Sequence, residues 1–438
     1  MDKKLIKPGT LLISEQPFAY VLGSKYRMEY CDVCFLKKDL QRCANCHFVY
    51  YCGKTCQKDG WPVHKLECNN IKNIMPKVLP DAARLLARLI KKLNKGGGDI
   101  KSYYAKNKYR KFKDLISHYP NVKEDPVRME HFTSLCGVLS EFLGNEFMPN
   151  PIELMGIYGR MCVNSFTICD EELKGLGTGI YLGASIIDHS CQPNAVAIFQ
   201  GTLLNIRATE TMPHLNWDKV FLSYTDTLQK PEVRRKELMS NYYFICRCPR
   251  CLDPEECNIM SAGACPNRDC NAALQLGDQD ITECDQCGTE ITLEVKQQYK
   301  DVTEFTEIQL QNMKLAYLDV CKVCLRKHQG VLHDLNIQHV RILDSAFESS
   351  IDFGQWDEAK QFGVALISGF KKYLGNMHPL LGLVYLKLAK ILVYQEDLLE
   401  GRKYLKEAYH ILKITHGEDS SLYKNEVIPL VQDCLLQV

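Results

Sequence analysis

The chain has 438 residues, of which 46% are hydrophobic, with 54 Lys and Arg against 53 Asp and Glu. This length suggests about two to four domains, and the composition excludes a disordered, collagen-like or low-complexity chain. The first residues lack the apolar stretch of a signal peptide, and no run of about 18 apolar residues predicts a membrane span. The 22 Cys residues therefore favour a reducing compartment and metal ligation over disulfides.

Secondary-structure signals change several times along the chain. After Pro80, apolar residues at helical spacing predict a helix with Asp81 as its N-cap and an end at Gly96. Further helices are predicted around breaks at Gly144 and Pro149. In chain order we predict strands over 5–22, a Cys-rich segment over 31–68, helices over 81–95 and 129–163, short strands over 164–225, a second Cys-rich segment over 246–287 and continuous helix from 295.

The helical tail contains an internal repeat. Ala346 and Ala389 are 43 residues apart, and Ala365 and Ala408 have the same separation. Small residues at fixed points let paired helices pack closely, as in tetratricopeptide-like hairpins. The sequence therefore predicts a helical lobe of that kind.

Charge is distributed unevenly between the two ends of the chain. The net charge is +4 over residues 1–68, +11 over 69–113 and −14 over 114–438. Aromatic residues interleave with the lysines of the middle segment, so weak nucleic-acid contact through residues 69–113 is one interpretation. A solvated helix face is the competing interpretation, and a run of like charges favours it.

Eight Cys and His residues between 31 and 68 form four closely spaced pairs. A structural Zn²⁺ takes four sulfur or nitrogen donors, so the segment predicts two tetrahedral zinc sites. So short a segment buries too little apolar surface to fold alone, and metal binding must supply most of its folding free energy. The candidate ligands are Cys31, Cys34, Cys43, Cys46, Cys52, Cys56, His64 and Cys68.

A second cluster, Cys246, Cys248 and Cys251, supplies only three ligands. The fourth must come from elsewhere in the chain, and Cys191 is the candidate.

A third cluster consists of two Cys pairs on turn-rich sequence, which predict a small zinc ribbon: Cys265, Cys270, Cys284 and Cys287. Surface thiols in a loop are the alternative. Cys321 and Cys324 differ, because they lie in a helical run, and we interpret them as buried helix thiols.

Taken in order, these motifs resemble the family of SET and MYND domain-containing protein lysine methyltransferases. The segment 31–68 has the spacing of a MYND finger, including the single His between the last Cys residues. The other matching segments are Cys162–Ile168, Asp188–Asn194, Leu222–Tyr224 and Tyr242–Phe244, and the resemblance spans nearly the whole chain.

The resemblance implies an α+β multidomain fold, in which a zinc-binding MYND finger splits a β-rich SET domain. A post-SET zinc segment and a C-terminal α-helical tetratricopeptide-like lobe follow. The implied domains are the N-terminal part of the SET domain (1–30), the finger (31–68), a helical SET insert (69–160), the core SET domain (161–245), the post-SET and ribbon-like segment (246–290) and the helical domain (291–438).

The resemblance also implies transfer of a methyl group from S-adenosylmethionine to a lysine amine. A narrow apolar channel meets the needs of this reaction, because it orients the amine and disfavours its charged form. Tyr224 matches the catalytic tyrosine, whose hydroxyl lies near the methyl group. The channel aromatics match Phe166, Tyr224 and Tyr242, and the cofactor contacts match Tyr103, Asn164, Asp188, His189, Tyr224 and Phe244.

By the same resemblance the finger ligands cross-brace, with Cys31, Cys34, Cys52 and Cys56 on one ion and Cys43, Cys46, His64 and Cys68 on the other. With the two later clusters, about four Zn²⁺ are expected. Gln57 and Trp61 match finger positions that hold proline-rich peptides. The expected partners are such peptides and protein substrates, and we expect a monomer in the cytoplasm and nucleus without membrane contact.

Three departures from the family pattern leave a second hypothesis open. The family's Gly-x-Gly segment before the first strand is absent from the sequence, its Asn before His is Asp188, and its Gly-Glu-Glu turn is replaced by Met212–Asp218. Asp188 can accept a hydrogen bond but cannot donate one. The alternative to an active enzyme is a catalytically impaired adaptor that acts through protein–protein interaction in transcriptional regulation. The target lysine and the degree of methylation do not follow from the sequence.

Overall fold

The computed structural model describes residues 5–278, 280–312 and 317–436, which form two compact units. The first unit runs to Asp188 and includes Asn194–Leu222 and Met239–Phe244. The second comprises His189–Pro193, Ser223–Leu238 and the chain from Ile245 onward. Among the described helices, none is long and apolar enough to cross a bilayer. A mixed α/β architecture with a mostly helical C-terminal region confirms the coarse fold prediction.

Short antiparallel strands form the scaffold of the first unit. In one sheet β1 pairs with β11, which pairs with β10, and Ser14 lies opposite Asn205. In a second sheet β8 lies between β2 and β7. In the described residues of both units the strands are β1 Leu11–Glu15, β2 Ala19–Leu22, β3 Gln41–Arg42, β4 Tyr50–Tyr51, β5 Ser102–Ala105, β6 Lys108–Arg110, β7 Ser165–Cys169, β8 Gly175–Ile180, β9 Asp188–His189, β10 Ala195–Gln200, β11 Leu203–Ala208, β12 Phe221–Leu222, β13 Gly263–Ala264 and β14 Ala273–Leu274, the last two in the second unit.

Helices provide most of the remaining structure. They are α1 Lys54–His64, α2 Cys68–Ile74, α3 Asp81–Asn94, α4 Tyr119–Glu124, α5 Pro126–Leu143, α6 Pro151–Asn164, α7 Pro231–Tyr242, α8 Pro249–Leu252, α9 Pro254–Met260, α10 Leu293–Asn312, α11 Leu318–His328, α12 Ile337–Asp352, α13 Trp356–Leu374, α14 Pro379–Tyr394, α15 Leu398–Thr415 and α16 Ile428–Leu436. A π-helical turn, Tyr423–Val427, precedes α16.

Helix α3 follows the predicted pattern, since its Leu85, Leu86, Leu89 and Ile90 are almost completely buried. The predicted N-cap is wrong, because Pro80 occupies the cap position and Asp81 is already helical. The Asp81 carboxylate instead accepts the backbone N–H of Ser24 at 3.0 Å, so it connects α3 to the strand region.

Two predicted helical segments differ from the structure. Within residues 69–160, strands β5 and β6 form a hairpin that places Tyr103 opposite Tyr109. The predicted helix from 295 is divided into several helices by short turns. The helix signal there is correct, but glycines with positive φ follow several of the helices, among them Gly354, Gly375 and Gly417, and such residues end a helix.

The repeat residues explain close helix packing only in part. Ala346, Ala389 and Ala408 are fully buried, whereas Ala365 is exposed on α13. The close approach at α13 comes instead from Gly363, where an added Cβ would lie 2.7 Å from the ring of Phe347. Small residues therefore do allow the helices to pack closely, but the 43-residue repeat pointed to Ala365 where Gly363 makes the contact.

A buried ion cluster joins the finger to α3. Arg84 donates to Asp32 Oδ1 at 2.9 Å and to Glu67 Oε1 at 2.7 Å, and Arg88 donates to the same two carboxylates at 3.0 and 2.7 Å. All four side chains are at most 8% exposed. Buried charges require partners of opposite sign, so this cluster fixes the finger on the helix.

Replacing Arg84 by Met should lower the free energy of unfolding by about 3–5 kcal/mol, because Asp32 and Glu67 would share one guanidinium group in the interior. The measurement is urea unfolding of the zinc-saturated protein followed by circular dichroism. Lys77→Met is the matched control, since Lys77 pairs with Glu141 at 3.5 Å on the exposed surface and should contribute little. Equal stability of the two variants would contradict the assigned role of the cluster.

Candidate active site and metal centres

The eight finger ligands form two groups of four, divided as the cross-braced arrangement predicts. Within each group the ligand atoms all lie within 4.8 Å of one another. The Cys34 and Cys52 sulfurs are 3.6 Å apart, and those of Cys43 and Cys68 are 3.7 Å apart. Four sulfurs placed tetrahedrally about 2.3 Å from one ion are separated by about 3.8 Å, so both donor sets fit Zn²⁺.

The His64 ligand is supported from outside the metal site. Its Nδ1 lies 3.4 Å from Glu67 Oε1, and its Nε2 lies 3.5 Å from the Cys46 sulfur. Burial alone would raise the pKa of Glu67, but Arg84 and Arg88 hold it well below its usual range. Glu67 is therefore ionised, and it orients the imidazole so that Nε2 faces the metal group.

Cys191 completes the second predicted cluster. Its sulfur lies 3.5 Å from Cys251 and 3.9 Å from Cys246, and Cys248 belongs to the same group of four. The distances again match a closed tetrahedral site. The structure thus brings Cys191 together with the three cysteines for which the sequence analysis proposed it as the fourth ligand.

The ribbon cysteines also converge. Cys265 and Cys287 sulfurs are 3.6 Å apart, and those of Cys270 and Cys284 are 3.8 Å apart. The short strands β13 and β14 pair beside them. In contrast Cys321 and Cys324 are fully buried in α11 among apolar neighbours, as predicted.

His189 connects the Cys191 cluster to Tyr224. The Tyr224 backbone N–H donates to His189 Nδ1 at 3.0 Å, and His189 Nε2 lies 3.3 Å from the Cys191 sulfur. Burial lowers the pKa of His189 to about 4, so the ring is neutral near pH 7. With Nδ1 accepting, the proton lies on Nε2 and is donated to the Cys191 sulfur. The four-cysteine group is therefore connected through His189 to the backbone of Tyr224, the residue predicted to be catalytic.

Arg234 is a buried support of this cluster that sequence reasoning missed. Its side chain is completely buried, and it donates to the Cys251 sulfur at 3.6 Å and to Glu256 at 3.4 Å. A cation beside a thiolate offsets the negative charge of a four-cysteine site. The doubled Arg234-Arg235 ahead of the cysteines was the available signal, since Arg235 also donates to the carbonyl groups of Cys246 and Cys251.

The second unit also contains an acidic group that the sequence analysis did not identify. Burial, followed by repulsion from Glu348 and Asp226, raises the pKa of Asp344 to about 7. Lys387 donates to Glu348 at 2.7 Å and offsets part of the charge. Asp226 lies two residues after Tyr224 in the sequence, and its carboxylate accepts the backbone N–H of Leu228 at 2.8 Å.

Among the predicted contacts in the first unit, Asn164 ends α6 and donates its amide to the carbonyls of Ile116 and Arg160 at 2.8 and 2.9 Å. In the described part of the chain its Oδ1 accepts no hydrogen bond, which leaves it available to a ligand. Phe166 is half-buried on β7 with its ring edge-on to Tyr181 at 5.5 Å.

The remaining predicted residues lie in different environments. Asp188 is exposed, and the rings of Tyr242 and Phe244 lie 6.4 Å apart. Tyr103 is 59% exposed and contacts Tyr109 on the hairpin at 5.5 Å. The structure thus brings together Tyr242 with Phe244 and His189 with Tyr224, and it places Tyr103 on a strand rather than in the expected helix.

Comparisons with known proteins agree with the geometry. The MYND finger family model matches residues 31–68. Histone-lysine N-methyltransferase SMYD3 of Mus musculus is 30% identical over 98% of this chain and 93% of its own length. N-lysine methyltransferase SMYD2 of Homo sapiens is 28% identical over 94% and 90%, and histone-lysine N-methyltransferase ASHR1 of Arabidopsis thaliana is 25% identical over 95% and 89%.

The names of these relatives define a class of protein, the protein lysine methyltransferases. The matched finger restricts that class to the members that contain a MYND finger. With similarity at this level along nearly its entire length, the chain belongs to the family of SET and MYND domain-containing protein lysine methyltransferases.

Replacing Arg234 by Met should accelerate loss of one zinc ion to a chelator by at least about tenfold, because loss of an outer contact typically weakens metal binding on that scale. The measurement is metal release to a chromogenic chelator, followed over time. Arg247→Met is the matched control, since Arg247 is exposed in the same segment. Identical release curves for the two variants would contradict the supporting role of Arg234.

Proposed function

We propose that this protein transfers a methyl group from S-adenosylmethionine to lysine residues of histone or non-histone proteins. Similarity to named lysine methyltransferases over nearly the whole chain carries the proposal. The hydrogen bond from the Tyr224 backbone N–H to His189 holds together two residues that the resemblance assigns to this reaction, which is consistent with the proposal. Nothing in the three relatives favours the non-catalytic adaptor, since all of them carry the names of methyltransferases.

S-adenosylmethionine supplies an electrophilic methyl group when it is bound. The chain must then present a neutral lysine amine in line with that group, and water must be excluded. Phe166, Tyr224 and Tyr242 are the proposed walls of the lysine channel, whose rings also attract the incoming cation. Asp226, two residues after Tyr224 in the sequence, is proposed to favour approach of a positively charged lysine side chain.

Asn164 and Asp188 are the proposed acceptors for the cofactor's ammonium group. Asn164 Oδ1 is suited to this role because its amide nitrogen is held by two carbonyl groups, which fixes the orientation of the oxygen. His189, Tyr224 and Phe244 are proposed as further contacts. Tyr103, whose ring is largely exposed, is proposed as a further cofactor contact.

The finger is proposed to bind proline-rich peptides of partner proteins through Gln57 and Trp61. Trp61 is 47% exposed on α1, so its ring is accessible to a peptide. The eight Cys and His donors of the finger are all members of its two candidate metal groups. With four donors for each of two ions, the finger would leave no open position for Lewis-acid chemistry. A monomer in the cytoplasm and nucleus, with weak nucleic-acid contact through residues 69–113 as a minor activity, completes the proposal.

Four zinc ions per chain are expected, two in the finger and one in each later cluster, because each donor set supplies four ligands. The measurement is elemental analysis of protein purified without chelator. Cys284→Ser should reduce the content by one ion, whereas Cys321→Ser, in the buried helix, should not change it. A content near two in the unmodified protein would eliminate both later sites.

Replacing Tyr224 by Phe should lower turnover at least about tenfold, equivalent to about 1.4 kcal/mol of barrier. Cofactor affinity should change much less, because the hydroxyl acts on the transition state whereas several residues share ground-state binding. The two measurements are methyl transfer to a panel of lysine-bearing proteins and calorimetric titration with S-adenosylmethionine.

Tyr394→Phe is the matched control for this experiment, since Tyr394 is 73% exposed on α14. If Tyr224→Phe retains full turnover, the assignment of the catalytic tyrosine is wrong although the enzyme class survives. If the unmodified protein binds no cofactor, the adaptor hypothesis replaces the proposal.

A further inference from the structure

A cavity of about 420 Å³ lies in the first unit, apart from every residue assigned to methyl transfer. Its walls come from the end of finger helix α1, strand β2, helix α3 and the end of α5. Apolar side chains dominate the lining, among them Phe18, Val63, Leu66, Ala87, Ile100 and Phe142. Cavities of this size and character are typical of binding sites for a ligand or an anchoring side chain.

Three lysines line the cavity on the side formed by the C-terminal end of α3. Lys91 Nζ lies 4.5 Å from the centre of the Phe147 ring, and Lys92 Nζ donates to the Phe18 carbonyl at 2.5 Å. Lys95 is exposed beside them. Within the described residues, none of the three forms an ion pair with a carboxylate.

The electrostatic balance of this site is positive. Burial, then repulsion from Lys95, lowers the pKa of Lys91 despite the nearby Glu146. The one carboxylate in the lining, Glu67, is already neutralised by Arg84 and Arg88. A ligand that places negative groups beside these lysines would therefore meet positive charge that forms no ion pair within the described residues, next to an apolar cavity.

We propose that this cavity binds an extended acidic segment of a partner protein, with a bulky apolar side chain inside and carboxylates on Lys91 and Lys95. The four-residue separation of Lys91 and Lys95 supports an extended peptide as the ligand. Residues four apart on a helix are separated by about 6 Å along its axis, and alternate residues of an extended peptide by about 6.6 Å. Two carboxylates of one strand can therefore reach both lysines.

The mouth of the cavity favours a chain over a compact molecule. Val63 and Ile100 are 39% and 43% exposed at its edge, and Trp61 precedes the lining residues on α1. An apolar surface that continues out of a cavity suits a ligand that extends beyond it. The inference goes beyond the proposed function, because it requires neither methyl transfer nor peptide binding at Trp61.

The test uses the full-length, zinc-loaded chain and a fluorescein-labelled peptide of sequence Glu-Asp-Leu-Asp-Phe-Asp-Glu, with fluorescence anisotropy as the measurement. Ile100→Glu and the double variant Lys91→Glu/Lys95→Glu should each weaken binding at least tenfold. Ile152→Glu and Lys106→Glu are matched controls, since both residues are exposed outside the cavity, and they should stay within twofold. Raising the salt concentration should weaken binding by the unmodified chain.

Unchanged binding by both cavity variants would overturn the proposal, as would equal affinity for a peptide with Lys in place of every acidic residue. If Trp61→Ala is the only variant that abolishes binding of the acidic peptide, the peptide binds to the finger surface around Trp61. That result would also overturn the proposal. If the chain binds laurate but not the peptide, the ligand of the cavity is a small amphipathic anion and not a protein segment. If the chain self-associates and Ile100→Glu abolishes that self-association, the occupant of the cavity is a second copy of the chain.

Methyl transfer and binding of a proline-rich probe are measured on the same variants. Ile100→Glu and the double lysine variant should retain both activities within twofold, which also shows that they fold. Failure of either activity in the unmodified chain would count against the proposed function and not against the cavity. The two proposals can therefore fail separately.

Discussion

Two carboxylates and two guanidinium groups buried together hold the finger in place. Asp32 and Glu67 belong to the finger, Arg84 and Arg88 to α3, and removal of any one would leave a charge without its partner in the interior. Through Glu67 the same cluster orients the His64 ligand. Metal closure and packing on α3 therefore stabilise one another, which a short zinc segment needs because its apolar core is small.

The metal clusters could be predicted because their determinants are local. Closely spaced cysteine pairs favour metal ligation, and the structure gathers all the predicted donors into four groups. Even the distant Cys191 could be inferred, because three cysteines left a tetrahedral site incomplete. The buried thiols Cys321 and Cys324 followed from helical spacing without any turn signal.

Features set by tertiary contacts were less predictable. Arg84 and Arg88 count toward the basic segment 69–113 in the sequence, yet both are buried and neutralised. The hairpin around Tyr103 has no strong turn motif beyond Lys106-Asn107, and its lysines resemble a solvated helix. The doubled Arg234-Arg235 does not by itself indicate a role for Arg234, because that role depends on where Cys251 lies after folding. Counting charges in a sequence cannot distinguish solvent-facing cations from interior ones.

The pairing of β1 with β11 has a consequence for the order of folding during synthesis. Ser14 hydrogen-bonds to Asn205, which follows it by 191 residues. At about 5–20 residues per second, ribosomes need roughly 10–40 s to produce the partner strand. Strand β1 must therefore remain unpaired while the finger can already close around its ions. The nascent chain thus carries an open strand edge beside a folded zinc module, and chaperones that cover such edges would act in this interval.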